Sequence, residues 1–190
     1  RVRFPEFKQL GTPIRIHPVL MYHLHPRKEA KTWREWGGLK TEEDVNQEMV
    51  RIREELKEMK VQAEFPMEIM PITRVNSDAA AHKVSKTDGD VILLYAAGSA
   101  GDQVYKDNRI RTMTNSGKDI VMFLRHKSGP VYLWYEIAHP KLLRQRTDHH
   151  THEHMDVDDI VVDDYNDVLW RMRALFGLKN TKSTRLISVN

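Results

Sequence analysis

The run Asp90-Val91-Ile92-Leu93-Leu94-Tyr95-Ala96 is apolar without interruption, and it restricts the fold more than any other stretch of the chain. A strand with one wet face alternates polar and apolar residues, whereas a strand covered on both faces reads as a continuous apolar run. This run is therefore expected to be the central strand of a parallel sheet, with helices packed above and below it.

Neighbouring segments supply the helices and further strands. Residues 14–22 read as a first strand, although Pro18 interrupts its ladder. Residues 41–60 read as an amphipathic helix, because Val45, Met49, Ile52, Leu56 and Met59 recur at spacings of four and three. Thr41 is its expected N-cap, with Glu42, Glu43 and Asp44 at the positive end of the dipole. A second strand is expected at 65–72, bounded by prolines, and Ser77 caps a short helix before Asp88-Gly89 turns the chain into the central run.

Residues 98–117 read as a loop, 119–125 as a helix and 130–136 as a strand, which preserves strand–helix alternation. A last helix is expected from 163 to 176, ended by Gly177 at C′, followed by a strand at 184–189. The pattern predicts a single α/β domain over residues 1–190 with an extended arm at 1–12. Its fold class is a doubly wound, mainly parallel open sheet, a flavodoxin- or Rossmann-like three-layer sandwich. Since the sequence closes on a strand, we expect it to be the N-terminal domain of a longer chain.

Composition narrows the function. The 30 basic residues barely exceed the 27 acidic ones, and the candidate basic patch, Arg109-Ile110-Arg111, is short, so a nucleic-acid partner is not expected. No apolar run approaches the roughly 20 residues that span a bilayer, so no membrane partner is expected either, and a soluble, cytoplasmic protein is favoured. The absence of Cys removes thiolate nucleophiles, thiolate metal sites and disulfides. Gly98-Ser99-Ala100-Gly101 matches neither a Walker nor a dinucleotide pattern.

In doubly wound sheets, ligands bind outside the carboxyl ends of the strands, near the switch in strand order. That rule selects the loops 23–40, 73–78, 97–115 and 136–160. Within them His23 and His25 can exchange protons or hydrogen-bond a sugar hydroxyl, and Arg74, Asn76, Glu136 and His139 offer the mixed donors and acceptors a polyol needs. Trp33 and Trp36 invite sugar stacking or a subunit contact. In the tract Asp148–Asp156, alternation places His150, His152 and His154 on one side of an extended segment, where imidazoles could bind a divalent metal. The preferred reading of the same tract is a solvent-facing polar loop whose histidines make ordinary hydrogen bonds or pack at a subunit contact.

Taken in order, these segments resemble the N-terminal domain of the L-arabinose and L-fucose isomerase superfamily. The residues that carry the likeness are Val19-Leu20-Met21-Tyr22 with its His-containing loop, the helix 41–60, Pro71-Ile72-Thr73 leading into a small-residue helix, Asp90–Tyr95, Val131-Tyr132-Leu133-Trp134, and a late acidic loop before the final helix and strand. The resemblance implies aldose–ketose isomerisation with a divalent metal, usually manganese, in a homo-oligomer whose N-terminal domain covers a neighbour's active site. It implies that the metal-binding acids and His lie in later domains, so no catalytic residue is assigned here. Against this enzyme part stands a non-catalytic module that binds a carbohydrate or another small polar metabolite. A metal-dependent hydrolase built on the three histidines is a more distant reading.

Overall fold

The computed structural model describes residues 11–24, 38–98, 108–132 and 157–184. Its elements are β1 (Ile14–Met21), α1 (Glu42–Gln62), β2 (Met67–Ile69), β3 (Thr73–Val75), α2 (Asp78–Ser85), β4 (Val91–Ala96), α3 (Asn108–Thr114), β5 (Asp119–Leu124), β6 (Ile160–Val162) and α4 (Tyr165–Ser183). All strand pairings are parallel. The sheet order is β2-β1-β4-β5-β6, with β3 also on β1. Because β2 and β3 pair with successive halves of β1, they act as one interrupted strand, and the order becomes the flavodoxin-like 2-1-3-4-5.

Pro18 accounts for the interruption. Even-numbered residues of β1 bond toward β2 and β3, as Ile14 N does to Pro66 O and Tyr22 N to Val75 O, while odd-numbered ones bond toward β4. The donor that proline lacks would therefore point between β2 and β3, where Met70–Ile72 leave the ladder. A proline sits inside a central strand because its neighbour is broken opposite it. The strand expected at 65–72 is accordingly confined to Met67–Ile69, and a second short one, Thr73–Val75, occupies the start of the expected loop 73–78.

Each face of the sheet carries its own core. Ile14, Ile16, Leu20 and Tyr22 of the first strand and its end, with Leu93, Tyr95 and Phe123, pack against Val45, Ile52, Leu56 and Met59 of α1 and Val168, Leu169 and Met172 of α4. Val19, Met21, Ile92, Leu94, Ile120 and Met122 pack against Ala81 and Val84 of α2 and Ile110 and Met113 of α3. The central run is buried throughout, as its lack of alternation requires. α1 begins with a complete capping box between Thr41 and Asp44. Among the described residues no helix is long and apolar enough to cross a membrane.

Three sequence expectations need correction. Residues 119–124 form strand β5, not a helix, and the helix that precedes it is α3, hidden in the supposed loop. Alternation held, but one element earlier than expected; of the strand expected at 130–136, residues 130–132 carry none and 133–136 lie outside the described residues. Gly177 does not end the last helix, which continues to Ser183 because its final turns are tied down. Lys179 bonds Pro13 O and Asp90, Asn180 bonds Thr12, and Phe176 stacks on Phe65. The strand expected at 184–189 and the arm at 1–12 lie almost wholly outside the described residues.

His17 is a buried polar group inside this core, and its tautomer follows from its partners. Thr87 spends its hydroxyl proton on Val84 O, so it accepts from His17 Nδ1–H, and Nε2 accepts from Thr73. Burial, aided by the charge of Lys118, lowers the pKa of the imidazole below its ordinary 6.5. The unfolded chain then binds the proton more readily than the native one, so stability is complete above 6.5 and falls as pH drops toward the lower native value. Urea midpoints measured between about pH 7.5 and about pH 5.5 should fall for the wild type, and His17→Gln should flatten that slope.

Candidate functional site

With the order 2-1-3-4-5, the strand order reverses between β1 and β4, and the carboxyl ends of these two strands mark the expected ligand crevice. There the backbone just beyond β1 presses against the backbone just beyond β4. A Cβ on Gly98 would lie 3.2 Å from His23 N, so glycine is what lets the two chain ends approach. His23, half-buried, thus stands at the switch point.

Arg109 fixes the same edge from behind. Its buried guanidinium donates to Tyr22 O at 2.7 Å and, over longer contacts, to Val75 O and Gly98 O, the carbonyls that end or follow β1, β3 and β4. The candidate basic patch Arg109-Ile110-Arg111 therefore turns its first arginine inward. Arg74 leaves β3 toward α1 and meets Met49, Asn46 and Glu42, so it fastens the strand end to the first turns of the helix. Asn76 is exposed just beyond it.

A second polar assembly lies on the α1 face near the ends of β4 and β5. Arg125, the residue after β5, is wholly buried and donates to Glu48 from Nε and to both oxygens of Glu55 from its terminal nitrogens. Tyr132 donates to Glu48 Oε1, and Tyr165 donates to Glu55 at 2.7 Å. Since Tyr165 spends its proton there, Tyr95 donates to Tyr165, at 2.9 Å. One guanidinium and two carboxylates are thereby held by three phenols between the sheet, α1 and α4.

Electrostatics follows from burial. Desolvation pushes the Tyr95, Tyr132 and Tyr165 hydroxyls far above their ordinary range, and nearby carboxylates push the same way. Burial opposes the charge on Arg125, but the Glu55 hydrogen bond and the Glu48 charge keep it firmly protonated. Beside this assembly Asp163, in the left-handed region at φ 57°, accepts from the N–H groups of His126, Lys127 and Ser128 and from the Ser128 hydroxyl. Burial works against its charge, yet the Ser128 hydroxyl and the three N–H groups bring the carboxyl down to about 2. The loop after β5 is thereby clasped to the start of α4.

Of the residues singled out from sequence, His23, Arg74 and Asn76 fall at the carboxyl edge. His25, Glu136, His139, His150, His152 and His154, with Trp33 and Trp36, lie outside the described residues. Among the described residues no group of His, Asp and Glu is arranged to hold a metal. Glu48 and Glu55 do not fit a manganese ion, because a cation between them would have to displace Arg125.

Sequence reasoning missed the Arg125 assembly, although a signal was present. Glu48 falls on the apolar stripe of α1, three residues after Val45 and four before Ile52, and a carboxylate on a buried stripe needs a partner. Compared with the known protein families, with curated proteins and with solved structures, the chain shows no match.

Proposed function

We propose that this chain is the sugar-binding α/β part of an aldose–ketose isomerase-like protein. Loops at the carboxyl edge of its sheet cover the substrate and contact neighbouring subunits, and the divalent metal is held by residues other than those described. The observation that supports this reading is the switch point itself, where the ends of β1 and β4 meet at His23 and Gly98. The half-buried His23 imidazole at the paired strand ends and the exposed Asn76 amide after β3 supply donors and acceptors of the kind that hydroxyls require.

The test is an isomerisation assay of the longest native form with a panel of pentoses and deoxyhexoses, run with manganese and with chelator. Turnover that chelator abolishes and that the chain of residues 1–190 lacks is the expected result. Sugar binding without turnover in any form would assign the chain to non-catalytic carbohydrate recognition. Absence of both would sink the proposal.

A further inference from the structure

An open cleft of about 410 Å³ lies beside the Arg125 assembly, walled by Gly38, Leu39 and Lys40, by Asp44, Gln47, Glu48 and Arg51 of α1, and by Pro130. Its volume falls within the range of small-molecule sites. Glu48 is 1% exposed, and its two oxygens are treated differently. Oε1 accepts from Arg125 and Tyr132, whereas Oε2 receives no hydrogen bond. Arg51, which shares the cleft wall, brings Nε to 3.3 Å of Oε2 without completing one.

We propose that this cleft binds a neutral polyol: the half-exposed Arg51 side chain swings aside to uncover Glu48 Oε2, one hydroxyl donates to that oxygen and an adjacent one accepts from Arg51. A buried carboxylate oxygen without a donor is costly to keep, and a ligand proton removes that cost. The walls carry two cations, Lys40 and Arg51, and two anions, Asp44 and Glu48, so the cleft has no net charge with which to select an ion. Neighbouring hydroxyls each donate and accept, and can therefore satisfy a carboxylate and a guanidinium placed side by side. The inference rests on the sugar-binding reading for the class of its ligand, and it adds a subsite on α1 apart from the His23 edge.

Titration of the ¹⁵N-labelled chain with L-arabinose, myo-inositol and glycine tests the proposal. Arabinose or inositol should shift the amides of Lys40, Asp44, Gln47 and Arg51 saturably. Gln47→Trp, which fills the cleft from an exposed position, should weaken that binding on the order of tenfold with the urea midpoint unchanged, and Arg51→Met should weaken it similarly while lowering the midpoint, because it takes the nearest cation from Glu48 Oε2. These variants carry the test because Glu48→Gln also disturbs the buried ion pairs. Unshifted amides, shifts from glycine alone, or undiminished affinity in both variants would overturn the inference. Shifts confined to His23 and Gly98 would remove this cleft and leave the sugar reading standing. Saturable binding here, in a protein whose native form interconverts no sugar, would have the opposite meaning.

Discussion

Replacing Arg125 with methionine is expected to destabilise the protein by about 3–5 kcal/mol, the largest effect of any single substitution considered, because it leaves the buried Glu48 and the part-buried Glu55 without their cation. Glu48 would retain only Tyr132 and the loose approach of Arg51, and Glu55 only Tyr165. A combined variant that also replaces Glu48 and Glu55 by methionine should recover part of the loss, since no buried charge then remains unpaired. Urea denaturation of the three proteins distinguishes these outcomes. An Arg125→Met protein as stable as the wild type would mean that the assembly contributes nothing.

Removal of Arg109 should have the next largest effect, about 2–4 kcal/mol for Arg109→Met, because three carbonyls at the strand ends lose a charged donor and the buried ones have no water to replace it. The damage should not be uniform. Hydrogen exchange should quicken first at Tyr22, Val75 and Gly98, where the guanidinium joins chain ends that have few other ties, and little in the middle of β4. Arg109→Lys should fall between the two, since one ammonium cannot reproduce the planar spread of a guanidinium over several acceptors.

Much of the architecture was legible in the sequence because it depends on patterns that burial enforces. β4 lacks alternation because both its faces are covered, and α1 shows its stripe from Val45 to Met59, with Thr41 in the expected N-cap. The errors cluster where pattern and tertiary context part company. α3 is short and polar, and reveals itself only through Ile110, Met113 and Thr114 at helical spacing, so its place was given to the apolar run that is β5. Once both cores cover it, that run is a strand like β4.

Gly177 marks a plausible helix end, yet contacts made by residues further along hold the helix past it. The candidate site was legible only as an edge. Topology led to His23, Arg74 and Asn76, but nothing local in the sequence tells that Arg125 turns inward to meet Glu48 and Glu55, residues far away along the chain. Such pairings are decided by packing, which sequence spacing does not encode.

The break opposite Pro18 also bears on how the protein behaves in a crowded solution. The two outermost strands of the described sheet offer only Met67–Ile69 and Thr73–Val75 on one side and Ile160–Val162 on the other. An incoming strand from a second molecule would find runs too short and too offset to template a continuous ladder. The proline that costs β1 a hydrogen-bond donor thereby helps keep a sheet rich in Val, Ile and Leu from growing outward into aggregates.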